Sequence, residues 1–411
     1  MTKHLTYIIF AVMIFCLSIS CSKNNDNKEE PITEVREGTC FDGILNGDEV
    51  IVDCGGVCPG FCPPNSIGIL GGEVIGEPIA QNQVAPLQLD PEVEYRLIGP
   101  LLVRDRAILS IPAGTVIKVD PNAGAYIAVA QGGSLLVSGQ PDKPVVITSG
   151  AENPAPGDWG GIIICGDGPI SSSEVLSTDI IDIFYGGSDV QNSSGAIKYL
   201  RIEYAGALAE NGKNFDALAL YGVGKFTGLT NIQTFESLGN GIRFIGGNAD
   251  AKKLVVTNSG GNSIVVQDDW SGNGESWYLS GIAKSGIEIT SNTTEPLLPI
   301  ETDTIANVSI VGPAPRGAVR YTNGGGKYML SNIFANNLIL GIDVEGATAT
   351  EQINMGNLKI DSLQFDNPSI DFVPTNYSGP NTSFYSESIT NGAGNEGVKP
   401  DWANGWTIGL N

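Results

Sequence analysis

Histidine is almost missing from this sequence. Its 411 residues hold one, His4, and that lies in a stretch expected to be removed on export. The mature chain then has no imidazole base, no Ser-His-Asp triad and no His-ligated zinc. Charge is sparse too, at 16% of residues, yet 45 acids against 22 Lys and Arg leave a net charge of −23. Such a surface repels polyanions, which argues against nucleic acid as a partner. Aromatic residues are 7% of the chain, and no long stretch repeats with helical period. Glycine is plentiful instead, 54 residues, spaced as turns between short apolar segments.

The N-terminus opens with Lys3 and His4, followed by "YIIFAVMIFCLSIS", Tyr7 to Ser20. This apolar run is short for a bilayer span and has the length of a signal h-region. With "SISCS" it resembles a bacterial lipoprotein signal, although Ser18 stands where leucine is usual. The resemblance implies a signal peptide over 1–20, cleavage before Cys21, and acylation of the Cys21 thiol and amine. The chain would then be an exported lipoprotein of the outer membrane and cell surface, its membrane partner engaged through that lipid. An ordinary secretory signal with an incidental cysteine is the alternative. Residues 21–37 are polar and charged and read as a disordered tether.

Cys40, Cys54, Cys58 and Cys62 crowd residues 38–64. In an exported chain an even cluster reads as two disulfides with three possible pairings. A four-thiolate zinc site is the alternative, though the spacing lacks paired C-x-x-C knuckles. Such a short module cannot bury a core of its own and would depend on the bridges. Asp42, Asn46, Asp48 and Asp53 surround glycines there and are candidate Ca²⁺ ligands. The same residues suit Asx turns, and both readings stand.

From residue 65 to 411 the pattern is strand, turn, strand. In "GIRFIGG", Ile242 and Phe244 oppose Arg243, giving one buried and one wet face. Aligning "IQTFESLGNGIRF" with "LVVTNSGGNSIVV" at an offset of 22 matches Ser237 to Ser259, Asn240 to Asn262 and Ile242 to Ile264. Leu218 and Leu220 precede Ile242 and Phe244 by 24, and Gly317 precedes Gly341 by 24. A period of 22–24 with short strands marks a solenoid. The dense leucine framework of leucine-rich repeats is absent, which leaves an all-β, single-stranded, right-handed parallel β-helix. Asn240 and Asn262 should stack as an amide ladder at a turn. In "APGDWGGIIICGDGPI" one pair, Ile162 with Ile164 or Ile163 with Cys165, should enter the core. The loop-rich segment from Pro374 to Trp406 is expected to cover the last coil.

"IPAGTVIKV", "GGSLLVSGQPDKPVVITS", "APGDWGGIIICGDGPI", "YGGSDVQNSSGAIKYLRIEYAG" and "DWANGW" together resemble the Bacteroidetes lipoproteins that carry a right-handed parallel β-helix, related in shape to pectin lyases. The cysteine-rich stretch is similar to a small module, C-x-D-G-x-x-N-G…D-C-G-G-x-C, of secreted proteins from that phylum. These resemblances imply fold and compartment, and no activity. Where relatives carry an acidic-aromatic string, this chain has "SLGNGIRFIGG", without an acid.

The expected function is therefore a non-catalytic, lipid-anchored protein that presents a binding or adhesive face to a glycan or surface protein. Trp270, Trp277 and Tyr278 in "QDDWSGNGESWYL" are candidate stacking faces for sugar, and Asp268, Asp269 and Glu275 are candidate ligands for a cation, Ca²⁺ being the one cofactor the residues suggest. The competing reading of those rings is packing. The alternative function is a polysaccharide lyase or glycoside hydrolase in the groove of the β-helix. It has candidate acids in Asp158, Asp189, Asp216, Asp268 and Asp269 and candidate cations in Arg201 and Arg243, but no catalytic motif. Asp158 reads better as a turn residue. The anchoring expectation is checked by metabolic labelling with a fatty acid: the native chain should carry label and sediment with membranes, and Cys21→Ser should lose both.

Overall fold

The computed structural model describes residues 67–80, 83–172, 174–291, 303–324, 326–367 and 369–410. The signal peptide, Cys21, the tether and the whole cysteine-rich module with Asp42, Asn46, Asp48 and Asp53 lie outside the described residues.

The described chain winds as a right-handed parallel β-helix, with three ladders of strands running along it. The third ladder is the simplest. It stacks Ile127–Val129, Ile162–Cys165, Leu218–Tyr221, Ile242–Ile245, Ile264–Gln267, Ile287–Thr290, Val319–Thr322 and Leu340–Glu345, each parallel to the next. The first and second ladders begin as separate short strands and then merge into long ones, from Gly195–Glu203 to Leu358–Asp366. The pairing Ile232↔Leu254 and Ile242↔Ile264 carries the offset of 22, and Leu218↔Ile242 the offset of 24. Gly317 and Gly341 are one step out of register, for Val319 pairs with Ile342. Among the described residues the one α-helix is Ala347–Asn354, set in a connection.

Each long strand turns a corner in its middle. Tyr199, Asn231, Lys253, Ser276, Asn307, Asn332 and Ser362 occupy that place in successive coils, all with φ between 52° and 62°. One left-handed residue bends the strand without ending it, and it resets the alternation of side chains. Asparagine bears this conformation more readily than most residues, yet only three of the seven positions use it. Coil stacking outweighs local preference here.

The interior is filled by the inward columns. Ile162, Ile164, Leu218, Leu220, Ile242, Phe244, Ile264 and Val266 are all buried in one cluster. Ile163 and Cys165 point the other way and are also buried, packed against Ile170, Ile180 and Tyr185. The "DWGG" turn before this strand places Trp159 in the core, where its indole N–H donates to the Glu203 carbonyl at 2.8 Å. Gly161 has φ +141°, and a Cβ there would lie 2.3 Å from the Asp216 carbonyl oxygen, so only glycine lets these coils meet. Asn240 and Asn262 form the expected ladder: the Asn262 backbone N–H donates to the Asn240 side-chain oxygen at 2.8 Å, and the Ser285 N–H to that of Asn262 at 3.2 Å.

The C-terminal segment divides. Its first part makes the strands Val373–Thr375 and Tyr385–Glu387 of the last coil, where Tyr377, Phe384 and Tyr385 stack edge to face. The remainder does not cover the open end. It runs back along the outer face of the second ladder as a strap. There the register aligns Arg201, Gln233, Val255, Tyr278, Ser309 and Phe334 in one outward column. The Ala393 N–H donates to the Ser309 hydroxyl, the Tyr278 hydroxyl to the Gly397 carbonyl, and the Gln233 amide to the Ile408 carbonyl. Trp406 is fully buried against Tyr199 and the Val255–Tyr278 cluster. Removing that side chain should cost about 3–5 kcal/mol, whereas Asn262→Ala, which strands one backbone N–H, should cost about 1–3 kcal/mol. Denaturant midpoints of Trp406→Ala and Asn262→Ala check this order.

Candidate functional site

The rings that the sequence offered as candidate sugar faces are packed, as the competing reading had it. Trp270 and Trp277 are inside the solenoid, the first tilted against Phe244 and the second stacked with it, and their indole N–H groups donate to the carbonyls of Ala249 and Ala251 at 3.1 Å. Trp277 pairs in register with Leu254, one of the inward residues. Tyr278 faces outward but lies under the strap. None of the three offers a ring to solvent. Their three acidic neighbours do not converge either. Glu275 pairs with Lys252 at 2.8 Å, Asp269 is buried, and Asp268 lines a different recess. Among the described residues no three acids, cysteines or histidines gather to hold a metal.

The other candidate acids separate by role. Asp158 holds its own turn, accepting from the Ser149 hydroxyl at 2.5 Å and the Ala155 N–H at 3.0 Å. Asp189 accepts from the Gln191 N–H at 3.0 Å in the same manner. Arg201 pairs with Glu203 and reaches the Trp406 carbonyl, which places it beneath the strap. Asp216 and Arg243, by contrast, meet on the outer face of the third ladder.

There a long insertion between the strands Ile162–Cys165 and Gly195–Glu203 folds back over the ladder. It carries a small antiparallel hairpin, Leu176–Ser177 with Phe184–Tyr185. Its Ile170, Ile180 and Tyr185 cover Ile163, Cys165, Ala219, Tyr221 and Ile245. Burial beneath this roof raises the Cys165 thiol far above its ordinary pKa and leaves it inert.

Asp179, at the bend of the hairpin, ties the roof down. Arg243 projects outward between Ile242 and Phe244 and donates to Asp216 through Nε at 2.7 Å. It grips Asp179 with both terminal nitrogens, at 2.8 and 3.2 Å. The Tyr221 hydroxyl donates to Asp179 at 2.5 Å, and Lys213 adds a contact at 3.2 Å. The guanidinium also lies 5.4 Å from the Tyr221 ring centre. Asn240 donates to the second oxygen of Asp216 at 2.7 Å, which joins the amide ladder to the site. Burial alone would raise the Asp179 carboxyl, but hydrogen bonds and charge from Arg243 prevail and hold it well below the usual range. Burial raises the Asp216 carboxyl and the Tyr221 phenol, and pushes Tyr185 up to about 12. Burial disfavours the charged form of Arg243, yet Asp216 and the other partners outweigh it and fix the side chain as a cation.

Two recesses flank this cluster. A polar one of about 330 Å³ is lined by Ser177, Asp179, Lys213, Arg243, Gln267 and Asp268, among others. A larger cleft of about 730 Å³ runs between the roof and the turns beside the ladder. Its lining includes the part-exposed Tyr126 and, stacked beside it with centres 5.4 Å apart and planes at 29°, the buried Phe215. Ile180, Ile181, Leu208, Asp182, Glu210 and Asn211 line the walls. Farther along the ladder a second arginine, Arg320, is enclosed by Glu288 at 2.9 Å, Asp343 at 2.7 Å and Glu345. Its donors are spent within that network.

A family model described as a pectate-lyase-like β-helix domain matches residues 81–407. The chain belongs to that family. The match spans all three ladders, the roofed site and nearly the whole strap, so strap and insertion are parts of the family domain in this chain. No curated protein and no solved structure matches the sequence.

The Arg243 cluster yields two expectations. Arg243→Met leaves Asp216 buried without its cation and should cost about 3–5 kcal/mol, read from the unfolding midpoint. Asp179 is half exposed and should matter locally. Because its docked pKa is depressed, its contribution is complete above the ordinary carboxylate value of about 3.9. It is lost as pH falls through the depressed value. Amide exchange over 176–185, corrected for its intrinsic pH dependence, should stay slow from neutral to about pH 4 and quicken below, whereas Asp179→Asn should be fast throughout.

Proposed function

We propose that this chain is an exported, lipid-anchored, non-catalytic protein that seats a carbohydrate chain in the cleft between the roof and the third ladder. The observation that carries the reading is the part-exposed ring of Tyr126, backed by the buried Phe215, in the lining of a cleft of about 730 Å³. Flat rings stack on the apolar faces of sugars, and side chains such as Asn211 and Thr178 on the walls suit hydroxyl groups. The strap supports the same location by exclusion, since it occupies the outer face of the second ladder. The lipid at Cys21 would tether the domain to the outer membrane and set the cleft toward extracellular glycans.

The reading is non-catalytic because the carboxylates nearest one another are not free to act. Asp179 and Asp216 share Arg243, so one cation holds both in place, and Asp216, whose carboxyl burial raises, is shut away from solvent with its two oxygens bonded to Asn240 and Arg243. A second reading, a polysaccharide lyase or hydrolase, has one observation in its favour: Arg243, Asp179 and Asp268 line one polar recess in a pectate-lyase-like domain. The test is a glycan array probed with the full chain in detergent. Any glycan that binds should lose affinity by about tenfold or more in Tyr126→Ala, in line with about 1–3 kcal/mol per stacked ring seen for other flat ligands. Retained affinity contradicts the site. Unsaturated or reducing ends appearing on incubation would instead favour the enzyme.

A further inference from the structure

The cleft has a charge that its family name does not suggest. No lysine or arginine is among its lining residues, while Asp179, Asp182 and Glu210 are. Asp179 is spent on Arg243 and Lys213. Asp182 accepts from the Ser177 hydroxyl at 2.9 Å, and Glu210 lies close enough to Tyr126 to add, after burial, to the rise of its phenol pKa. Among the described residues neither Asp182 nor Glu210 has an ion pair with a cation, and both are exposed at the mouth. The same lining includes the part-exposed ring of Tyr126, whose quadrupole attracts positive charge. The net charge of −23 adds a long-range repulsion toward any polyanion.

Building on the carbohydrate reading above, we infer that the cleft takes a sugar chain bearing protonated amines, a polymer of de-N-acetylated hexosamine, in preference to a uronate or an acetylated chain. Rings and carboxylates divide the task. Tyr126, backed by Phe215, holds the ring plane, which every hexose offers. Asp182 and Glu210 distinguish the ammonium from an acetamide or a carboxylate. A polyuronate would bring its own negative charge against both carboxylates, with no lysine or arginine in the lining to offset it.

The experiment is calorimetric titration of the full chain in detergent, at low salt and at a pH where the amine is charged. The probes are four oligomers of equal length: glucosamine, N-acetylglucosamine, galacturonate and lysine. Glucosamine oligomers should bind about tenfold or more tightly than their acetylated counterparts, a difference of about 1.4 kcal/mol, and the preference should shrink with added salt. The double variant Asp182→Asn, Glu210→Gln alters exposed positions only. It should erase the preference while leaving the weaker acetylated binding in place. Equal affinity for both hexosamines, or tighter binding of galacturonate, overturns the inference and leaves the carbohydrate site standing. Lysine oligomers binding where glucosamine does not would overturn it in favour of a basic peptide. Failure of every sugar to bind removes the carbohydrate reading itself, and this inference with it.

Discussion

The structure depends on one constraint: each coil must lie in register on the coil before it. A single lap of chain has an apolar inner edge and backbone groups open on both sides, and it cannot stand alone. Stacking satisfies the backbone through parallel ladders and seals the aliphatic columns at the same stroke. The left-handed corner residues make this possible, because they bend the strand without breaking its pairing. Once the inner columns are aligned the outer ones are aligned too, and those outer columns carry what is particular to this protein. One column becomes the trough for the strap. Another places Arg243 beneath the hairpin roof.

The outward charges show how burial sorts ion pairs. Lys252–Glu275 and Lys118–Glu94 sit in water, and pairs of that kind contribute little. Arg243 and Arg320 are nearly enclosed, and each is surrounded by carboxylates from neighbouring coils or insertions. A guanidinium with its donors directed at fixed acceptors is costly to strip of one partner. Arg243 therefore acts as the fastening between an insertion with little core of its own and the rigid wall. This matches the place of the cleft, which opens where the insertion departs from the wall.

Much of the solenoid was legible in the chain. The period of 22–24, the opposition of Arg243 to Ile242 and Phe244, and the paired asparagines all correspond to observed registers. The choice between Ile162 with Ile164 and Ile163 with Cys165 was open in sequence because all four are apolar. The structure explains the ambiguity, for one pair enters the core and the other meets the roof. The site was not legible, for two physical reasons. A corner residue such as Ser276 resets the alternation, so Trp277 turns inward where a strict period of two gives no warning. Tyr278 is covered by residues more than a hundred positions later, and Asp179 meets Arg243 across 64 residues. The isolated acids and arginines could be named from sequence, but their convergence could not. Tyr126 and Phe215 gave no signal at all, each being one aromatic in an ordinary strand or turn.

The central claim is that the cleft under the hairpin roof, and no other face of this domain, receives a sugar chain. A crystal structure of the chain soaked with an oligosaccharide chosen by the array tests it most directly. The account predicts density for a sugar ring lying on Tyr126, with hydroxyl or amine groups near Asp182 and Glu210, and the strap unmoved. Sugar density along the first or second ladder, or a clear ligand elsewhere with the cleft vacant, would contradict it.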